Sequence, residues 1–300
     1  MTMRLGLLCV VLSRFVVFSE GNVADKANRT LHLAWASYCN ESSLEAWTCQ
    51  WCEPESKLTL IEYLKDTKHG TQGYVGLQGN TIVVSFRGSK NFANTVQDMQ
   101  FWRKKFPYAK SSGGEDLYVD HGFFEAYDSL RNQTIEAVMN ATKTRCVSSS
   151  NGNCEGVLIT GHSLGSAMGT MLAGELAMYV QSKINIYNFG SPRVGDAAFV
   201  KWVDDQIAAS NGSSTRMRRE KDIVPAIPPR SIGYRHISTE IYEKHPPESF
   251  VVCDGSGEDP TCGDSEEHPP FPLDLLHMEP SEHTRYLGIE GGSCSGGSDD

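Results

Sequence analysis

The sequence is poor in positive charge: Lys and Arg number 27 against 37 Asp and Glu, a formal net charge of −10. That balance disfavours nucleic acid and anionic membrane surfaces as partners. Apolar contact must then drive any meeting with lipid. Beyond the first residues no apolar stretch is long enough to cross a bilayer, which takes roughly 20 residues. No internal repeat recurs and no linker divides the chain, so a single domain is expected. Only one Cys-x-x-Cys is present, Cys49-Gln-Trp-Cys52, and a structural zinc would want a second. No metal or organic cofactor is expected.

What is present begins with a leader. An apolar run from Leu5 to Leu12 and from Phe15 to Phe18 gives way to polar Ser19-Glu20-Gly21-Asn22. Residues 1–20 read as a cleaved signal peptide and 21–300 as the mature domain. Arg14 interrupts the run, which argues against a stable anchor. Losing the leader removes Cys9 and leaves eight cysteines, an even set that suits disulfides in a secreted chain. Sequons beginning at Asn28, Asn40, Asn132, Asn140 and Asn211 agree with secretion. The destination is extracellular, or a lysosome or vacuole by the same route.

The patterning alternates strands with helices. Leu31, Ala34, Trp35 and Tyr38 fall at helical spacing within 25–38. Thr59 to Lys65 is a strand or a helical turn, and Gly70 to Gly79 reads as turn-rich. Thr81 to Phe86 is a strong strand, and Gly122 to Thr144 suits a helix. The strand Val157 to Thr160 precedes a small-residue helix from Leu164 to about Gln181. Ile184 to Phe189, Ser213 to Arg218 and Ile237 to Tyr242 read as strands, and Asp196 to Ala209 as a helix. The expectation is a mainly parallel sheet covered on both faces.

The most informative segment is Gly161-His162-Ser163-Leu164-Gly165, a G-x-S-x-G pattern between a strand and a helix. A serine on so tight a turn projects its hydroxyl above the sheet, and the glycines keep side chains out of the way. The N–H of Leu164, at the helix N-terminus, is placed to donate to an oxyanion. The bland alternative is a tight turn carrying an inert serine.

A serine needs a base, and in this arrangement an acid and then a histidine follow it in sequence. Asp222 stands out, between a strand and the rigid Ile223-Val224-Pro225-Ala226-Ile227-Pro228-Pro229. Asp196, Asp204 and Asp205 are rivals, better read as helix caps or solvated groups. His236, His245, His268, His277 and His283 all remain open as the base on spacing alone.

Taken together, these motifs resemble the fungal-type triacylglycerol lipases, the class 3 lipase family. The likeness runs from about Leu31 to Cys294. It is carried by Val84-Ser85-Phe86-Arg87-Gly88-Ser89, His121-Gly122-Phe123, the serine pentapeptide, Asn188-Phe189-Gly190-Ser191-Pro192-Arg193-Val194-Gly195 and Asp222-Ile223-Val224-Pro225. The resemblance implies an α/β-hydrolase fold and a Ser163–His283–Asp222 triad, with His283-Thr284-Arg285-Tyr286 matching the family's C-terminal histidine segment. It implies Ser89 as second oxyanion donor, with Asp98 holding its hydroxyl. It also implies disulfides Cys39–Cys294, Cys49–Cys52 and Cys253–Cys262. Cys146 and Cys154 are then left to pair by elimination.

Phe92, Val96 and Met99 share one face of a short helix within 90–102. Either this is an ordinary surface helix, or it is a lid that covers Ser163 in water and opens at a lipid–water interface. The family's lids occupy this place, though this segment differs from better-known fungal ones in composition. The expected enzyme is a monomeric triacylglycerol lipase. Alternatives on the same fold are a mono- or diacylglycerol lipase, a phospholipase A1 and a feruloyl-type esterase. A non-catalytic binding protein would usually lack a triad member, and here each position is filled.

Overall fold

The computed structural model describes residues 20–90, 101–145, 154–244, 249–263 and 280–295. Helix α1 (Glu20–Ala36) and the short α2 (Glu41–Glu45) lead into strands β1 (Thr59–Asp66), β2 (Thr71–Gln78) and β3 (Thr81–Phe86). Strands β4 (Arg103–Lys110) and β5 (Asp116–Asp120) precede the long helix α3 (His121–Thr144). Then come β6 (Gly156–His162), α4 (Leu164–Leu176), β7 (Ile184–Phe189), β8 (Gly195–Asp196), α5 (Ala197–Ala209) and β9 (Ser213–Arg219). The chain continues through β10 (Tyr234–Arg235), β11 (Glu240–Lys244), β12 (Ser249–Val252), α6 (Pro280–His283), β13 (Arg285–Tyr286) and β14 (Ile289–Glu290).

Eight strands form the central sheet, in the order β1-β2-β3-β6-β7-β9-β11-β12. From β3 to β11 the neighbours are parallel, with Val83 opposite Leu158, Ile159 opposite Ile186, and Met217 opposite Ile241. Antiparallel strands close both flanks. Alternation along the strands separates two apolar layers. Ile82, Val84, Val157, Ile159 and Ile186 pack under α3, α4 and α5. Val83, Tyr187, Phe189, Met217 and Ile241 pack against the other face, beneath α1.

Helix α1 sits there because Ala27, Leu31, Ala34 and Trp35 form one apolar stripe, and all four are buried. Burial of a side chain such as Leu31 contributes about 2 kcal/mol. On the opposite face α4 is buried along its whole length, so it carries small and apolar residues. Its one acid, Glu175, is met by Tyr127 Oη at 2.6 Å and by the Arg131 guanidinium.

Several elements differ from the sequence expectation. Residues 71–78 are a buried strand, not a turn. Gly73 and Gly76 are there for close packing: a Cβ would lie 2.4 Å from Ser85 O or from Leu58 Cδ1. The turns flank them, at Gly70 and Gly79 with φ of +64° and +56°. The helix after Ser163 stops at Leu176, because Met178 and Tyr179 have left the core and are exposed. The strand expected over 237–242 begins later, as β11 from Glu240, after Thr239 at φ +63°, while the separate short β10 precedes it at Tyr234–Arg235 in the smaller sheet. Strands β4 and β5, not foreseen, join β8 and β10 in a four-stranded sheet.

Three disulfides are present among the described residues: Cys39–Cys294, Cys49–Cys52 and Cys253–Cys262. Cys154 is also disulfide-bonded. Cys146 lies outside the described residues, as do leader residues 1–19 and the lid positions Phe92, Val96, Asp98 and Met99. Among the described residues no helix is long and apolar enough to cross a membrane.

Candidate active site

Strand β6 delivers Ser163 to the C-terminal edge of the sheet, and α4 starts at the next residue. Ser163 has φ +57° and ψ −125°, a conformation side-chain-bearing residues avoid, at a cost on the order of 1–3 kcal/mol. The surroundings hold it there. Its N–H donates to Phe189 O at 3.0 Å. Ser166 Oγ donates to Gly161 O at 2.7 Å and Phe189 O at 2.9 Å. A Cβ on Gly161 would lie 2.6 Å from Gly165 C, and one on Gly165 would lie 2.1 Å from Phe86 O. Both glycines are therefore demanded by the turn and by the strand packed on it.

Asp222 follows β9 and is fully buried. Both its oxygens lie 3.0 Å from His283 Nδ1. Tyr286 Oη donates to Oδ2 at 2.5 Å, and the Val224 N–H donates to Oδ1 at 3.0 Å. Burial pushes the Asp222 carboxyl upward, but the His283 ring and these donors outweigh it, leaving it below the usual carboxylate range. A carboxylate only accepts hydrogen bonds, so His283 Nδ1 carries a proton. In the neutral ring Nε2 then holds the lone pair a base needs.

Gly190 joins the two halves. It follows Phe189, the residue that accepts from Ser163, and it has φ +57°. A Cβ there would lie 2.8 Å from His283 Cε1 and 3.1 Å from Asp222 Oδ2. Gly88, just before Ser89, is equally tight: its Cβ would meet Tyr38 Oη at 2.5 Å and Ser163 Cβ at 3.0 Å. The segment just after β3 therefore runs directly past the serine, one residue before Ser89.

The rival residues have other duties. Asp196 caps α5 by accepting from Phe199 N at 2.8 Å. Asp204 accepts from Ser238 N at 3.0 Å, and Asp205 pairs with Lys201 at 2.8 Å. His236 is buried with Nε2 donating to Pro225 O at 2.7 Å. Burial, with Arg216 and Arg193 nearby, pushes its pKa well down. His245, His268 and His277 lie outside the described residues.

The structure adds residues that sequence reasoning passed over. Arg193 binds Glu258 at 2.9 Å and the carbonyl of Ala226 at 2.5 Å, fixing the loop that follows Asp222. Tyr286 was visible only as the last letter of a motif. In the sequence Tyr38 shows only as part of a helical face, and His162 only as a variable place in the serine pentapeptide. A cavity of about 630 Å³, lined in part by Lys26, Tyr187, Asp204 and Ile241, opens toward the other ends of the strands and holds none of the site residues.

Comparison with known proteins agrees with this geometry. Residues 83–232 match the family described as lipase (class 3). The chain is 30% identical over 268 residues to a lipase of Rhizomucor miehei, covering 86% of this chain and 67% of that protein. It is 32% identical over 241 residues to secreted mono- and diacylglycerol lipase 1 of Fusarium solani, covering 75% of this chain and 67% of that one. A solved structure described as a triacylglycerol lipase whose catalytic centre is a serine protease triad superposes with TM-score 0.76 at 26% identity, covering 92% of this chain and 97% of that one. The chain therefore belongs to the class 3 lipase family and has its α/β-hydrolase fold.

Proposed function

We propose that this protein is a secreted triacylglycerol lipase that cleaves carboxylic esters through an acyl-enzyme on Ser163. The observation that carries the reading is Ser163 on its strained turn beside a buried Asp222–His283 pair whose Nδ1 is already committed to the carboxylate. His283 Nε2 takes the Ser163 proton as Oγ attacks the ester carbonyl. Asp222 keeps the ring in the right tautomer and stabilises its cation. The N–H groups of Leu164 and Ser89 receive the oxyanion. His283 then gives its proton to the departing alcohol, and water repeats the sequence to release the acid.

The hydrolase reading needs no metal and no organic cofactor. Secretion is supported by the leader, by the disulfides and by the secreted Fusarium relative. Contact with a lipid–water interface is assigned to Phe92, Val96 and Met99 on their spacing in sequence, and Asp98 is assigned, on the family resemblance, to hold the Ser89 hydroxyl. That same relative, named for mono- and diacylglycerols, favours a second reading in which the triacylglycerol is not the preferred ester.

The test compares a mid-chain triacylglycerol emulsion with a diacylglycerol and a soluble short-chain ester, with Ser163→Ala as control. Emulsion hydrolysis lost in the variant is the expected result. Activity on the diacylglycerol alone selects the second reading, and undiminished activity of Ser163→Ala refutes the mechanism.

A further inference from the structure

The residue before the nucleophile has no part in the triad, yet it is buried and bonded at both ring nitrogens. His162 Nε2 lies 2.9 Å from the backbone oxygen of His283. A carbonyl only accepts, so Nε2 carries the hydrogen and, in the neutral ring, Nδ1 is a lone pair. Tyr38 Oη lies 2.9 Å from that Nδ1 and must donate to it. The same Tyr38 oxygen accepts the N–H of Gly88 at 3.1 Å. The chain of donors has one direction throughout: Gly88 N–H to Tyr38, Tyr38 to His162, His162 to the carbonyl of His283.

The surroundings enforce this direction. Trp35 and His283 lie against the His162 ring, with centroids at 4.6 and 4.3 Å. Burial first, and His283 second, push the His162 pKa well down, so the ring stays neutral. Burial likewise raises the Tyr38 hydroxyl, which keeps its proton. The sequence neighbours matter as much. Gly88 is followed by Ser89, the proposed oxyanion donor, and His162 by Ser163.

We infer that Tyr38 and His162 are positioning residues that fix the oxyanion-forming end of β3 and the backbone of the base against each other across the nucleophile. The inference rests on the hydrolase reading above. It explains why a half-buried tyrosine from the turn beyond α1 should reach the site: it is the link that takes the N–H of Gly88, just after β3. A shift of about 1 Å at either end misplaces a reacting group and costs on the order of 10²-fold.

The experiment measures kcat and KM on a soluble ester for wild type, Ser163→Ala, Tyr38→Phe, His162→Gln, His162→Phe and the Tyr38→Phe/His162→Gln pair. Thermal melts of each variant monitor folding. Tyr38→Phe deletes the hydroxyl and keeps the ring, and is expected to lower kcat about tenfold with KM unchanged. His162→Gln retains a donor for the His283 carbonyl and is expected to fall between wild type and His162→Phe. Members of one chain are not independent, so the double variant loses less than the product of the two single losses. Wild-type kcat in Tyr38→Phe, or losses that multiply, overturns the inference while Ser163→Ala remains inert. Should His162→Phe fail to fold, Tyr38→Phe and the double variant still decide. Activity in Ser163→Ala would instead overturn the hydrolase reading itself.

Discussion

Tyr286 Oη lies 2.5 Å from Asp222 Oδ2, on the carboxylate oxygen that His283 Nδ1 also approaches at 3.0 Å. The tyrosine is fully buried and supplies Asp222 with a donor that burial would otherwise deny it. A hydrogen bond to a charged group contributes about 1.5–3 kcal/mol. Tyr286→Phe keeps the ring and removes that donor. The expected result is a kcat lowered at least about tenfold on a soluble ester, with KM little changed. Steady-state kinetics at neutral pH check it, and an unaltered kcat would show that Asp222 is held well enough by its other donors.

Gly190 predicts a second, sharper loss. Gly190→Ala places a methyl 2.8 Å from His283 Cε1 and strains a backbone at φ +57°. The backbone penalty is about 1 kcal/mol. Displacement of the ring is expected to cost on the order of 10²-fold in turnover. Measuring both the melting temperature and fluorophosphonate labelling separates the two effects. Labelling at the wild-type rate would mean that the His–Asp pair yields without leaving the serine.

Asp120 makes a prediction about pH. It caps α3, accepting from the N–H groups of Gly122 and Phe123, and it is nearly fully buried. Burial raises its carboxyl to about 6, although the cap bonds from Phe123 and Gly122 act the other way. A carboxyl with a higher pKa in the folded state holds its proton better there than in the unfolded chain. Its contribution is therefore complete below about pH 4 and is lost as pH rises toward 6, on the order of 2 kcal/mol in all. Asp120→Asn keeps the cap and cannot titrate. Urea unfolding across pH 4–7 is expected to show that falling component in wild type and not in the variant. Asp222 has the opposite sign: its lowered pKa contributes stability above about pH 4 that is lost on acidification, so a slope shared by both proteins belongs elsewhere.

The Cys39–Cys294 bond closes a separation of 255 residues. Long loops lose the most chain entropy on cross-linking. Cys39→Ser with Cys294→Ser is expected to cost about 2–5 kcal/mol by chemical denaturation. A change below about 0.5 kcal/mol would mean that packing alone holds the C-terminal segment on α1.

How much of this was legible in the sequence depended on how local the physics was. The turn at Ser163 is announced by Gly161 and Gly165, two residues to either side, although Phe86 and Phe189 from neighbouring strands also hold it. The acid could be narrowed to Asp222, since its rigid Val224–Pro225 setting is also local. The base was not readable from spacing: His283 is chosen by Asp222, 61 residues away, and only the family's motif pointed to it. Tyr38 and His162 stayed hidden for the same reason, being 124 residues apart. Strand β2 was misread because glycine signals both turns and tight packing, and only its neighbours Leu58 and Phe86 say which applies at Gly73 and Gly76. The segment Arg103–Lys110 carries charge at the exposed positions of an edge strand and buries Phe106, too little alternation to announce itself.

The bond from His162 to the carbonyl of His283 spans 121 residues, and a ribosome makes the chain in one direction only. On the proposed mechanism the serine turn is made before its base, and hydrolysis waits until the segment carrying His283 docks on His162 and the Cys39–Cys294 bond ties that segment down. Turnover then serves as a readout of whether that late segment is in place.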